Sequence, residues 1–372
     1  MRIIPTTLFY LAIQFNTSYG TEASIQEVAP SEYVSLLEGA AALIKSNYEA
    51  IATWQGELIV QEDDYYYGDK CRRIPILPGE PAAASKSIRR SVTGLVNFAL
   101  DTYNDKLYTE FIPTVEYKAL DLNRDVAVNE KYSRIISIVT PEEYLSYQVD
   151  HVYAYRRENV LNGKVQGRAA FRLPLEKAKG QQWGHIRDPR RYFFESNRTM
   201  WDFLYTLRDT VAGKTDIPKD KAPQISMARE DLGDSHAKLH VKGGFHASPN
   251  CPSYDLEFLN ITITLDSRVG LNMVRREVMD RSGRTLQTLD INYEEIGHVY
   301  LPKTVHFVIF TGEQKLFDSR ITFSKSIINE LIPEETFTYR NLGLKDGEQL
   351  CDKTRDLDYL YQNGELLPTA GK

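Results

Sequence analysis

Three histidines, His236, His240 and His246, lie close together in the chain and are candidate metal ligands. On an extended strand, His236 and His240 point to the same face, where two imidazoles can share a zinc ion. Lys238 lies between them on that face, and no Cys, Asp or Glu stands at ligand spacing. The pattern therefore favours a polar strand face, and we predict no metal site.

Two charged groups could bind ions. Arg187, Arg190 and Arg191 surround Asp188-Pro189 and could clamp an anionic head group, although an ordinary surface loop is the interpretation we favour. Glu62-Asp63-Asp64 precedes three tyrosines and offers carboxylates to calcium, but it lacks the ligand spacing of a calcium loop. We interpret it as a solvated strand end.

Local catalytic motifs are missing from the chain. It contains no Gly-x-Ser-x-Gly, His-Glu-x-x-His, Gly-x-x-x-x-Gly-Lys or Gly-x-Gly-x-x-Gly. A pair of carboxylates that hydrolyses glycosides needs no such motif, so an enzyme stays open as an alternative. Our prediction is a protein that is not an enzyme and carries no cofactor.

Length and composition limit which classes of protein this chain can belong to. With 372 residues the chain can bury a full core, and its net charge of −6 disfavours nucleic acid as a partner. Cys71, Cys251 and Cys351 lack the spacing of a zinc or thioredoxin-type site. Their odd number leaves at least one thiol unpaired within a monomer, and a bridge between Cys251 and Cys351 is an open alternative.

The N-terminal residues 1–20 resemble a secretory signal peptide. Arg2 precedes a mostly apolar run over 3–15, and Ser18 and Gly20 are small residues before a cut at Thr21. A buried N-terminal strand is the alternative. No later apolar run approaches the ~18 residues of a membrane helix. We therefore expect a periplasmic or secreted protein with no transmembrane segment in the mature chain.

The segment 256–323 predicts five consecutive antiparallel strands. Leu259, Ile261 and Ile263 alternate with polar residues, which is the pattern of a half-buried strand. The same alternation recurs in the following strands, and turn signals at 281–284 and 311–314 separate neighbours. An apolar sheet face of this length must be covered.

Helical spacing appears in two longer segments. Residues Ser31 to Ile44 predict one helix, and the capping box Thr199-Met200-Trp201-Asp202 begins a second that ends near Gly213. A further capping box, Thr140-Pro141-Glu142-Glu143, predicts a brief helix through Tyr147. The remaining predicted elements are strands at 54–61, 92–100, 107–111 and 134–139, a loop insertion at 68–85, a helical turn at 333–337, and a final hairpin near 349–352 and 359–361.

These elements predict one domain over 21–372 of the α+β class. The early strands are too few to cover the first helix, and the later strands have nothing on their apolar face. Combining the early and the late strands in one sheet gives a curved antiparallel sheet, a half-open β-barrel, with helices packed in its concave face.

Several strand segments and segments that join strands resemble those of the LolA/LolB-like superfamily of outer-membrane lipoprotein-sorting proteins. They are Thr53-Trp54-Gln55-Gly56, Phe98-Ala99-Leu100-Asp101, Asp266-Ser267-Arg268-Val269-Gly270-Leu271-Asn272, Arg281-Ser282-Gly283-Arg284, Tyr300-Leu301-Pro302-Lys303 and 329–337. The resemblance covers most of 31–364. It implies a half-barrel that holds acyl chains or other apolar ligands, and it supplies no catalytic residues.

The resulting hypothesis is a hydrophobic cavity between the sheet and the helices. Its predicted lining is Trp54, Leu58, Val60, Val96, Phe98, Leu100, Leu259, Ile261 and Ile263 on the sheet, with Met200, Phe203, Leu204 and Leu207 on the helix. The partner would be a lipid or an acylated protein, with an envelope protein as a further partner. The alternative is a dry core of the same residues, in an envelope sensor or protein-interaction module.

Overall fold

The structure is a computed structural model that describes residues 25–73, 85–126, 134–149, 169–174, 199–215, 224–246 and 258–369. The predicted signal peptide, residues 74–84 of the predicted insertion, Cys251 and the arginines near Asp188 lie outside these ranges. Residues Gly68–Arg73, predicted as a loop, form a 3-10 helix.

Two α-helices occur in the described ranges: α1 spans Tyr33–Glu49 and α2 spans Met200–Val211. The first buries Leu37, Ala41 and Ile44 on one face, as its spacing predicts. The second begins at Thr199, whose side chain accepts a hydrogen bond from the Asp202 N–H. Both predicted helices are confirmed. Within the described part of the chain, no helix has the length and apolar character needed to cross a membrane.

Strands make up most of the rest. They are β1 (Ile25–Glu27), β2 (Thr53–Tyr67), β3 (Ser87–Asp101), β4 (Lys106–Ala119), β5 (Arg124–Asp125), β6 (Arg134–Val139), β7 (Glu143–Val149), β8 (Ala169–Pro174), β9 (Gln224–Gly233), β10 (His236–His246), β11 (Phe258–Asp266), β12 (Asn272–Met279), β13 (Thr285–Ile296), β14 (Val299–Thr311), β15 (Gln314–Ile328), β16 (Gln349–Asp352), β17 (Leu357–Gln362) and β18 (Glu365–Pro368). The predicted run of five strands corresponds to β11–β15 and is confirmed.

All of these strands join one sheet. Its order is β1-β9-β10-β11-β12-β13-β14-β15-β2-β3-β4-β6-β7-β8-β16-β17-β18, with β5 beside the end of β4. Neighbours are antiparallel except β8 and β16, which pair in parallel. The pairing of β15 with β2 joins the early and late strands, as pooling them predicted.

The sheet curves around the two helices. One hydrophobic cluster contains Leu37 and Ile44 of α1, Leu204 of α2, and buried side chains from β2–β4, β6 and β9–β15. Flat strands about 4.8 Å apart could not all reach the same helix pair. We call the face that meets α1 and α2 the inner face. The fold is α+β, with helices on the concave side of a curved sheet.

The outer face has a second core, which the sequence did not lead us to expect. Tyr108, Ile136 and Ile138 alternate with inner-face residues, and they pack with Phe337 and Leu342. These last two side chains belong to the 3-10 turns at Glu334–Phe337 and Tyr339–Leu342. Strands β4 and β6 are therefore covered on both sides.

The helix predicted through Tyr147 is wrong, because that segment is strand β7. Thr140 does cap locally: its hydroxyl accepts the N–H groups of Glu142 and Glu143 at 3.3 and 3.2 Å. Its own N–H donates to the Glu143 carbonyl at 2.9 Å, which closes a tight turn. Pairing of the next residues with β6 and β8 then outweighs helical propensity.

The β12–β13 turn is organised by a buried carboxylate, Asp280. It accepts hydrogen bonds from the N–H and hydroxyl of Ser282 at 2.8 and 2.6 Å and from the Arg284 guanidinium at 2.7 Å. The Ser282 hydroxyl, and then the Arg284 groups, hold the pKa of Asp280 well below its usual value. Gly283, with φ of 84°, completes the turn.

We expect Asp280→Ala to lower the melting temperature more than Asp290→Ala, whose exposed carboxylate pairs with Arg275 at 3.3 Å. Because the folded-state pKa is lowered, the stabilisation is present above the unfolded pKa of about 4 and is lost as the pH falls. Thermal denaturation of both variants from neutral pH to about pH 2 checks this. A gap between wild type and Asp280→Ala that does not narrow below about pH 4 would contradict it.

Candidate functional site

The inner face is most apolar where β2 and β3 pair. Leu58 lies opposite Val96, and Trp54 lies opposite Leu100. The predicted lining residues of β2 and β3 are therefore alternate residues of each strand. All four side chains are buried. The register therefore places these four side chains on one face of the sheet.

Three aromatic rings form the centre of this region. The Trp54 ring centroid lies 5.4 Å from that of Phe98 and 5.3 Å from that of Phe323, and Phe98 and Phe323 are 6.0 Å apart. Gly56 lies opposite Phe98 in the register and adds no side chain to this inner surface. The buried indole N–H of Trp54 has no hydrogen-bond partner among the described residues.

Helix α2 packs its apolar side chains into the same cluster. Met200, Leu204 and Leu207 are buried, and Phe203 is half-buried beside them. Every predicted lining residue except Leu259 belongs to the cluster that joins the sheet to the helices or packs against it. Leu259 is half-buried near the start of β11, on the same parity as Ile261 and Ile263.

Helices α1 and α2 are held in the molecule by different contacts. The Asn47 side chain of α1 donates to the Tyr300 carbonyl at 2.9 Å and accepts from its N–H at 2.8 Å. Asn329, at the end of β15, bonds the Ala50 carbonyl and the Ala52 N–H just after α1. Helix α2 meets α1 through an Arg208–Glu38 ion pair at 3.3 Å and through Trp201 against Tyr48. Bonds to the Tyr300 backbone and to the Asn329 side chain thus fasten α1 and the residues that follow it.

Towards the C-terminal end of β2, the inner face becomes polar. Our interpretation of 62–64 as a solvated strand end is therefore wrong. Glu62 is 6% exposed and accepts a hydrogen bond from Ser319 at 3.1 Å. Asp64 pairs with Arg90 at 3.1 Å. Both carboxylates are an even number of residues from Trp54 on β2, so the alternation of side chains along the strand already predicts that they face inward.

A second polar patch lies beside the aromatic rings, on the neighbouring strands β4, β6 and β7. Phe98 lies opposite Thr109, Thr109 opposite Ser137, and Ser137 opposite Ser146. The three hydroxyl residues are buried, as is Tyr144, whose hydroxyl lies 3.2 Å from that of Ser137. We call Thr109, Ser137, Tyr144 and Ser146 the hydroxyl patch.

Two of the three candidate histidines make other contacts, and the side chain of His246 lies outside the described residues. His240 joins Thr264 at 3.1 Å and Glu230 at 3.0 Å through its two ring nitrogens. His236 lies beside a register shift at the start of β10, with Nδ1 3.5 Å from the Ser267 hydroxyl. No group of three or more potential metal ligands was found within the described ranges.

Comparisons with known proteins give structural matches only. No family model and no curated protein match the chain. A LolA superfamily protein from Nitrosomonas europaea matches 82% of this chain and 99% of its own, at 12% identity and a TM-score of 0.31. A DUF1329 family protein from Desulfovibrio piger matches 83% and 98%, at 9% identity and a TM-score of 0.36.

A third solved structure, a domain from Vibrio parahaemolyticus named for outer membrane lipoprotein sorting, matches 82% of this chain and 99% of its own. Its identity is 11% and its TM-score is 0.33. The chain is thus similar to solved structures whose names include the superfamily that its strand-joining segments resemble.

Proposed function

We propose that this protein is an exported, non-enzymatic binding protein that holds a lipid or another apolar ligand, an acylated protein included, between the inner face and its helices. The observation that supports this most is the meeting of apolar side chains from β2, β3 and β11 with those of α2. The compartment would be the periplasm or the exterior, and a single domain over 21–372 would carry the activity.

Binding would work by partition of the acyl chain out of water. Each buried methylene contributes about 0.8 kcal/mol, so about ten methylenes would supply the roughly 8 kcal/mol of micromolar affinity. Helix α2 is the better candidate for a moving lid, because Asn47 ties α1 to the backbone of β14 and the Asn329 side chain holds the backbone just after α1. An envelope protein would deliver or receive the ligand.

Native mass spectrometry of residues 21–372, purified from their own envelope fraction, tests the proposal. We expect a stoichiometric adduct, which organic extraction and lipid analysis would identify. A bare mass that stays bare after incubation with membrane lipids would contradict it.

Phe203→Glu should remove the adduct, because it places a charge on the half-buried apolar side of α2. Leu43→Glu is the matched control, since Leu43 is an exposed apolar residue of α1. The adduct is measured by native mass spectrometry, and circular dichroism confirms that both variants fold. Full occupancy in a folded Phe203→Glu protein would place the ligand elsewhere.

One observation favours a second candidate, a protein-interaction module with a filled core. Ile59, Leu95 and Ile112 lie opposite one another on β2, β3 and β4, and are 41%, 36% and 46% exposed. They form an apolar row on the outer face, and exposed apolar patches mark interaction surfaces. A bare mass in the experiment above would support this candidate.

A further inference from the structure

The hydroxyl patch is unusual in its surroundings. The inner-face neighbours of Ser137 and Thr109 along the same strands are Ile135, Val139 and Phe111, which belong to or pack against the apolar cluster. Burying hydroxyl groups among such side chains is unfavourable unless they find hydrogen-bond partners. The hydroxyl hydrogens that lack an acceptor therefore determine what the patch can bind.

Two hydroxyl hydrogens remain unassigned in the patch. Thr109 donates to the Ser137 carbonyl at 3.4 Å, and one hydrogen is shared between Ser137 and Tyr144 at 3.2 Å. The other hydrogen of that pair has no acceptor among the described residues. Ser146 Oγ is buried and makes no hydrogen bond to any described residue. Ser146 and Ser137 are directly paired across β6 and β7, so their side chains are neighbours.

The charged residues of these strands are engaged away from the patch. Arg134 pairs with Glu110 at 2.6 Å, and both have the parity of the outer-face core. Arg172 pairs with Glu143 at 2.7 Å at positions of that parity.

Within the described ranges, no cation shares the patch's inner-face positions on β4, β6 and β7. A cation that borders the patch is Lys353, whose Nζ lies 4.7 Å from the centroid of the Phe171 ring, and Phe171 is paired with Ser146 across β7 and β8. A carboxylate or phosphate among the hydroxyls themselves would lose its hydration, and no cation on β4, β6 or β7 would replace it.

We propose that the hydroxyl patch binds the carbonyl oxygen of an ester or amide in the ligand, with Ser146 and the Ser137–Tyr144 pair as donors. This inference rests on the proposed function and specifies the ligand as an amphiphile with a neutral head. A carbonyl oxygen has two lone pairs and accepts both hydrogens. The attached acyl chain then runs along the row to Phe98, Trp54 and Phe323.

The test compares two lipids that differ only at this carbonyl: monopalmitin, an ester, and the hexadecyl ether of glycerol. Titration of the full mature chain is followed by tryptophan fluorescence, with palmitate as the charged comparison. We expect the ester to bind about tenfold more tightly than the ether, since each net hydrogen bond contributes a several-fold gain. Palmitate should bind more weakly than the ester.

Ser146→Ala should weaken ester binding about fivefold and leave ether binding unchanged. Ser324→Ala is the control, because this hydroxyl is exposed and donates to the Glu57 carbonyl. Without ligand, Ser146→Ala should melt at or above the wild-type temperature, because it removes a buried hydroxyl that lacks a described partner. A structural hydroxyl would instead lower the melting temperature.

Equal affinity of wild type for ester and ether, equal weakening of both by Ser146→Ala, or tighter binding of palmitate would overturn the assignment while leaving the carrier function standing. A wild-type protein that binds none of the three lipids would overturn both.

Discussion

Gly56→Ala should destabilise the protein by roughly 3 kcal/mol or more, because the added methyl group meets backbone. An ideal Cβ at Gly56 would overlap the carbonyl oxygen of Lys325 and lie 2.8 Å from its carbonyl carbon. Lys325 lies at a β-bulge of β15, opposite β2. Gly56 is itself paired with β3 on one side and β15 on the other, so its backbone cannot shift away from Lys325 as a flexible side chain could.

The same substitution at Gly39 should act in the opposite direction. Gly39 lies in α1, and a Cβ there meets nothing within 4 Å. Alanine should therefore stabilise the helix by about 0.5–1 kcal/mol. Urea denaturation followed by circular dichroism measures both variants. Similar unfolding midpoints for the two would contradict the close approach of β2 and β15.

Trp54→Ala should cost about 3–5 kcal/mol of unfolding free energy, as large aromatic deletions in cores do. Trp54 is fully buried and its indole contacts both Phe98 and Phe323, so the deletion leaves a cavity beside both rings. Tyr103→Ala is the control, because Tyr103 is 89% exposed in a turn.

Chemical denaturation of both proteins measures this difference. A loss below about 1 kcal/mol for Trp54→Ala would mean that the region is loosely packed and not a close-packed core. Trp54→Phe should cost less than Trp54→Ala, because it keeps a ring and removes an N–H that has no described acceptor.

The sequence predicted β11–β15 and both helices because their signals are local. Short turns join β12 to β13 and β14 to β15, so alternation along one strand also sets the face of the next. The same alternation on β2 and β3 placed Trp54, Leu58 and Val96 on one face. These parts of the candidate site follow from period and register alone.

Other features depend on contacts between distant segments. The parallel pairing of β8 with β16 joins Ala170 to Leu350, and no local pattern encodes it. The outer-face core does have a local signal in the sequence, which we did not use. Ile135, Ile136 and Ile138 are all buried, so β6 is apolar on both faces, as strands covered on both sides are. The bulge opposite Gly56 depends on two chain segments meeting and leaves no trace in either alone.

The pairing of β2 with β15 also constrains how the chain can be made. At the end of this pair, Thr53 bonds the Glu330 carbonyl across 277 positions of sequence. Because synthesis proceeds from the N-terminus, β2 must wait, with one edge unpaired, until most of the chain has emerged. Exposed strand edges next to apolar side chains template aggregation. The nascent chain should therefore depend on a holding chaperone, and truncations that end before residue 314 should accumulate as aggregates.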